Sequence, residues 1–235
     1  MCRLILAQGQ FQAADVLRAA INMSCGVTAQ HDGPTQRHPN GWGAVWREGG
    51  RLMIHRDAAP IEETGHSSPI GQLETDFLAV HVRHATLARN HGAQYTHPLH
   101  QVAAGRSWYL LHNGFLPTVH QRLGRPHSEF DSAEYLEYLL HDLEDDLDLP
   151  TTTTKLQAIP PGGTSANAFL ITDHAAYVIH WTPEETKYPV YFTMHQTRTE
   201  RATIIASEII DSLAPRETWT PMPPRNIHTL PFLND

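Results

Sequence analysis

Cysteine stands at position 2, and Leu4 to Ala7, just beyond it, form an unbroken apolar run that ends at Gln8. A short run of this kind reads as a strand buried on both faces, so the chain carries its first reactive side chain directly into a core. Four apolar residues are too few for a signal-peptide core or a membrane span, and a cytoplasmic location is expected. Trimming of Met1, usual ahead of a small side chain, would make Cys2 the first residue and place a free α-amine beside its thiol. An α-amine titrates near 7.7 to 8.0, so its neutral form is available as a base for a thiol that is otherwise mostly protonated at neutral pH. The plainer reading is a buried terminal cysteine. Cys2 and Cys25 are the only two cysteines, which excludes a disulfide framework and any Cys-x-x-Cys pair.

The net charge of −8, with lysine only at 155 and 187, lacks the basic footprint of nucleic-acid binding. No linker or repeat divides the 235 residues, and a single layered α+β domain is expected. Hydrophobic periodicity predicts a helix over Ala13 to Ser24 and a hairpin with arms Trp42 to Arg47 and Arg51 to Arg56. It also predicts strands over Phe77 to His84 and Tyr109 to His112. A leucine stripe predicts a helix from about Ser132 to Leu147, and Thr151 to Thr154 reads as a loop. Ala168 to Thr172, Ala176 to Trp181, Val190 to Met194 and Thr203 to Ala206 read as strands.

Besides Cys2, three segments could carry chemistry, each with a structural reading. Arg83, in His81-Val82-Arg83-His84-Ala85-Thr86, can hold a carboxylate through two parallel hydrogen bonds, or can form a surface ion pair. Asn113-Gly114 can aim a side-chain amide and a backbone N–H at one developing oxyanion, or can be a turn. Asp131-Ser132-Ala133-Glu134 has the spacing of a helix cap. The 17 histidines raise the question of a metal. His81 and His84, like His97 and His100, are three apart, which on a strand sends the rings to opposite faces, and no His-Glu-x-x-His sequence occurs. A metal site is not expected.

Taken in order, Met1-Cys2-Arg3, Asn40-Gly41-Trp42-Gly43, His81-Val82-Arg83-His84-Ala85-Thr86, Thr96-His97-Pro98, His112-Asn113-Gly114, Asp131-Ser132 and Ala206-Ser207-Glu208 resemble the class II glutamine amidotransferases. These belong to the N-terminal nucleophile hydrolase superfamily. The likeness is strongest to the stand-alone branch, which includes γ-glutamyl hydrolases of ergothioneine biosynthesis and of glutathione-related degradation. It spans nearly the whole chain and implies one glutamine amidotransferase type-2 domain over residues 1–235. The implied fold is a four-layer αββα sandwich of two antiparallel sheets.

The resemblance makes Cys2 the nucleophile, its α-amine the base, and Asn113 and Gly114 the oxyanion hole. It assigns Arg83 and Thr86 to the substrate α-carboxylate, Asp131 to the α-ammonium, and Trp42 and Gly43 to the loop beside the nucleophile. Three departures accompany it: Asn40 where Asp is usual, Leu99 where Phe is usual, and one extra residue between Asp131 and Glu134. The implied reaction is hydrolysis of the side-chain amide of glutamine or another γ-glutamyl amide, with no cofactor and a small molecule as partner. Only 27 residues follow Glu208, too few for a synthase domain, so any ammonia would pass to a separate synthase subunit. The reading from another class is a catalytically inactive, His-rich metal-binding or structural protein.

Overall fold

A computed structural model describes residues 1–87 and 89–232. Its strands and α-helices, in chain order, are β1 (Arg3–Gly9), α1 (Ala13–Cys25), β2 (Trp42–Glu48), β3 (Arg51–Asp57), α2 (Ile61–Thr64), β4 (Phe77–Val82), β5 (Leu99–Ala103), β6 (Arg106–Gly114), α3 (Asp131–Leu140), α4 (Leu149–Gln157), β7 (Ala166–Ile171), β8 (Ala175–His180), α5 (Pro189–Phe192), β9 (His195–Arg198), β10 (Ala202–Ala206), β11 (Thr220–Pro221) and β12 (Asn226–Pro231). The chain divides into two compact units, one of Met1–Pro98 with Tyr188–Met222 and one of Leu99–Lys187 with the segment from Pro223. Each unit is built on one antiparallel sheet, so the chain is α+β.

The first unit holds a seven-stranded sheet in the order β11-β9-β10-β1-β4-β2-β3. β1 is central, flanked by β10 and β4, which is why Leu4 to Ala7 are apolar at every position and wholly buried. Val16, Leu17, Ala20 and Ile21 of α1 pack against Ile5, Ala7, Leu78 and Val80 on one face of this sheet. Gly26 ends α1 in the left-handed region at φ 78°, a conformation that lets its N–H and that of Val27 close on the last helical carbonyls. The predicted hairpin forms as β2 and β3, each one residue longer than expected.

The second unit holds a five-stranded sheet in the order β12-β8-β7-β6-β5. Tyr135, Leu136 and Leu139 of α3 cover Leu110, Ala168, Leu170 and Ile179. The leucine stripe does not run as one helix: α3 stops at Leu140, His141 turns extended and Asp142 takes φ 59°. Asp142, Glu144, Asp145 and Asp146 would crowd the negative end of a longer helix dipole, while Leu143 and Leu147 still reach the core from the connection. The predicted threonine loop is instead part of α4. The Asp148 carboxylate accepts the Thr151 N–H at 2.8 Å, and the Thr152 and Thr154 hydroxyls donate to carbonyls four residues back.

Two further expectations change. Val190 to Met194 forms no strand, because Pro189 opens the short helix α5 there. Strand β4 ends at Val82, so Arg83 and His84 lie in the following loop. Strands β5, β9, β11 and β12 form where the apolar patterning marks none.

Candidate active site

Cys2 precedes β1 and is 7% exposed, so the thiol sits almost wholly inside the first unit. Its strand is anchored from β10: the Ser207 N–H donates to the Leu4 carbonyl, and the Leu4 N–H donates to the Ser207 hydroxyl, both at 2.9 Å. Next in sequence, the fully buried Arg3 pairs with Glu208 at 2.6 Å and stacks on the Tyr191 ring at 3.6 Å. Burial alone would push the Cys2 thiol up. The His81 imidazole, the terminal ammonium and the Arg83 guanidinium outweigh it and bring the thiol down to about 6.

The loop after β4 wraps the chain start. The Met1 ammonium donates to the His84 carbonyl at 2.8 Å and to the Thr86 hydroxyl at 3.3 Å. Fully buried His38 donates through Nδ1 to the Met1 carbonyl at 3.1 Å, and burial holds its imidazole well below the usual histidine range. Arg83 is 4% exposed, which removes the surface ion-pair reading. Its guanidinium donates to the Asn90 carbonyl at 2.6 Å and the Asn40 carbonyl at 3.4 Å. Asn40 Oδ1 accepts the Ala85 N–H at 3.0 Å, so the residue standing where Asp is usual still ties down this loop.

Trp42 and Gly43 lie on opposite faces of β2. Trp42 is fully buried in the core under α1, and its indole N–H donates to the Thr64 hydroxyl at 2.9 Å. Gly43 faces the other way. A Cβ there would lie 2.1 Å from the His97 carbonyl oxygen and 2.5 Å from that of His55, so only glycine allows this approach.

In the second unit, Asn113 and Gly114 are not a turn. They are the last rungs of β6, opposite Asn167 and Ala166 of β7. Asn113 is fully buried, and at Gly114 a Cβ would lie 1.8 Å from the Ser165 carbonyl oxygen. His112 is held between Ser132 Oγ at 2.9 Å and the Ser165 carbonyl at 3.2 Å.

Asp131 is not a cap either, since the N-cap position falls on Phe130. The Asp131 carboxylate accepts the Leu116 N–H at 2.8 Å and is 8% exposed, and burial raises its pKa. Glu134 reaches back instead, accepting the Glu129 N–H at 2.8 Å and the Ser128 hydroxyl at 2.7 Å. The cap's carboxylate therefore does its work from the third residue after Asp131, leaving Asp131 turned to the end of β6.

A family model described as glutamine amidotransferases class-II matches residues 2–159, well over half of the chain. The chain belongs to the class II glutamine amidotransferases. No curated protein matches it. Among solved structures it is similar to the B. subtilis glutamine phosphoribosylpyrophosphate amidotransferase, complexed with ADP and GMP (TM-score 0.66, 15% identity, 100% of this chain and 50% of that one). A structure described as the allosteric regulatory enzyme of purine biosynthesis aligns with TM-score 0.67, 17% identity and the same coverages. A class-II domain protein from Silicibacter pomeroyi aligns with TM-score 0.58 and 13% identity over 99% of this chain and 100% of that one. This amidotransferase thus has the fold of those structures and spans about half the length of the first two.

The structure gathers Cys2, Arg83 and Thr86 around the start of β1 in the first unit, and ties Gly114 to Asp131 through Leu116 in the second. His81, Arg3 and Glu208 sit inside the ordered motifs and Tyr191 outside them, and no local pattern marks any of the four for a role at the thiol. Among the described residues no group of three or more His, Cys, Asp or Glu is placed to hold a metal ion, and no helix is long and apolar enough to cross a membrane.

Proposed function

We propose that this amidotransferase hydrolyses the side-chain amide of glutamine, or of another γ-glutamyl amide, through a γ-glutamyl thioester on Cys2. The observation that carries the reading is a nearly buried thiol at the head of β1, held below the ordinary cysteine range by the His81 imidazole, the amino terminus and the Arg83 guanidinium. After removal of Met1, the thiol proton rests on the Cys2 α-amine and the thiolate attacks the amide carbon. Asn113 and Gly114 hold the resulting oxyanion, where one such donor contributes about 2.7 to 4 kcal/mol. The ammonium then protonates the leaving nitrogen, the C–N bond breaks, and ammonia or an amine departs. Water, deprotonated by the same amine, cleaves the thioester to give glutamate and the free thiol. Arg83 and Thr86 hold the α-carboxylate and Asp131 the α-ammonium. The family correspondence supports these roles, as do the burial of Arg83 and the orientation of Asp131 away from its own helix end.

A screen of purified protein for glutamate release tests the reading, using glutamine and a series of larger γ-glutamyl amides. Turnover of at least one that is lost in Cys2→Ala is the expected result, and no turnover of any overturns it. A second reading, an ammonia-supplying glutaminase subunit for a separate synthase, is favoured by a fold shared with half of the glutamine phosphoribosylpyrophosphate amidotransferase. Glutamine hydrolysis that rises sharply only with a co-purifying subunit would favour it.

A further inference from the structure

His81 lies on β4 opposite Leu4 of β1, one rung from the pair Arg3 and Val82. Cys2 shares the face of Leu4 and is therefore the diagonal neighbour of His81, the separation at which side chains on adjacent strands meet. A hydrogen bond joins the thiol and the imidazole. His81 is fully buried, and the His97 ring lies against its ring at a centroid separation of 4.2 Å and an interplanar angle of 36°. On the opposite flank of β4 the residue facing His81 is Gly43, whose missing Cβ leaves room for the His97 peptide. Contact thus runs without a break from Gly43 through His97 and His81 to the sulfur.

The α-amine cannot supply this interaction throughout the reaction. It gives its proton to the leaving nitrogen, and the neutral amine that remains lends no charge to sulfur. An imidazole N–H held on sulfur is present in the free enzyme and again when sulfur leaves the thioester. We propose that His81 is a catalytic residue, donating a hydrogen bond to the Cys2 sulfur and stabilising it as a thiolate. His97 is the positioning residue that fixes the His81 ring, through the clearance made by Gly43. The inference rests on the proposed function only in taking Cys2 as the nucleophile. The other groups facing Cys2 are the terminal amine, Arg83, the His84 carbonyl at 3.9 Å from sulfur, and Tyr191, whose hydroxyl donates to the Cys2 carbonyl at 3.5 Å.

The test is the rate of iodoacetamide alkylation of Cys2 from pH 5 to 10, in Met1-free protein carrying Cys25→Ala so that one thiol reports. The parent should inflect below the ordinary cysteine range. In His81→Leu the inflection should rise by one to two units, so alkylation half a unit above the parental inflection slows by about 3- to 25-fold while the rate at pH 9.5 stays within twofold. His81→Gln, which keeps an N–H donor, should recover part of the shift, and His97→Leu should move it the same way by less. A folded His81→Leu protein with the parental profile overturns the proposal. If His81→Leu does not fold, parental profiles in both His81→Gln and His97→Leu overturn it equally. The assay needs no substrate: failure to hydrolyse γ-glutamyl amides would sink the proposed function alone, and unshifted profiles would sink this inference alone.

Discussion

The atoms around Cys2 make the first residue of the chain the strictest control on chemistry. While Met1 is present, the Cys2 nitrogen is an amide and no base, and the Met1 ammonium occupies the Thr86 hydroxyl proposed to bind substrate. Protein separated by mass into Met1-retaining and Met1-free forms should therefore show glutamate release only in the second. Activity in the retaining form at an equal rate would refute the amine as base. Asn113 gives an independent test. In Asn113→Ala, kcat should fall by about 10² to 10³ with KM nearly unchanged, because the lost donor acts on the transition state. Steady-state kinetics on a variant with a parental circular-dichroism spectrum decide it, and an unchanged kcat would leave Asn113 as a rung of β6 only.

Helix α3 and strand β1 each carry a buried charge whose role can be separated from its packing. In Asp131→Asn the amide oxygen can still accept the Leu116 N–H, but the charge is gone. Burial raises the folded pKa of Asp131 above the value of 3.8, so its ionisation in the folded state is disfavoured. The sign follows: stability linked to this group is present below pH 3.8 and lost as pH rises through the raised folded value. The neutral variant should accordingly keep or raise the melting temperature at pH 7. Its kcat/KM for glutamine should fall by the equivalent of about 2 to 5 kcal/mol if the carboxylate meets the substrate ammonium. A lowered melting temperature with unchanged kinetics would make Asp131 a structural acceptor alone. On β1, Arg3 is fully buried and its partner Glu208 is 6% exposed. Glu208→Ala strands the guanidinium in the core and should destabilise the fold by about 3 to 5 kcal/mol, read from urea denaturation.

Histidine gives the two units different responses to acid. Burial lowers the pKa of His31 to about 4, that of His38 well below 6.5, and those of His55, His84 and His195 below the same value. All five belong to the first unit. The unfolded chain binds more protons at these sites, so the stability they contribute is present above pH 6.5 and is lost as pH falls toward about 4. Asp131, in the second unit, acts in the opposite sense. Hydrogen exchange at pH 7 and at pH 5 should therefore show loss of protection concentrated in β1, β4 and β2, with β6, β7 and β8 less affected. Equal loss in both sheets would contradict this.

What could be read without coordinates was whatever local pattern and residue chemistry decide. The apolar run Leu4 to Ala7 marks a strand buried on both faces, the α1 periodicity one helix face, Glu48-Gly49-Gly50-Arg51 a hairpin, and the ordered motifs the amidotransferase family. Boundaries set by capping chemistry were misread. The leucine stripe continues to Leu147 in sequence, yet α3 stops at Leu140 before a run of acidic residues, and the next helix starts only at Leu149 behind the Asp148 cap. Edge strands such as β5 and β12 have weak apolar alternation and exist because a neighbouring strand offers its backbone groups. The same holds for the candidate site. Cys2 and Arg83 were legible as residue types in a motif, whereas the place of His81 beside the thiol depends on the β1–β4 register. Likewise Gly43 is glycine because the His97 peptide closes on it, and Asn113-Gly114 is strand and not turn because β7 pairs with it. Register and close approach join residues dozens of positions apart, and no local pattern in the chain encodes a separation between strands.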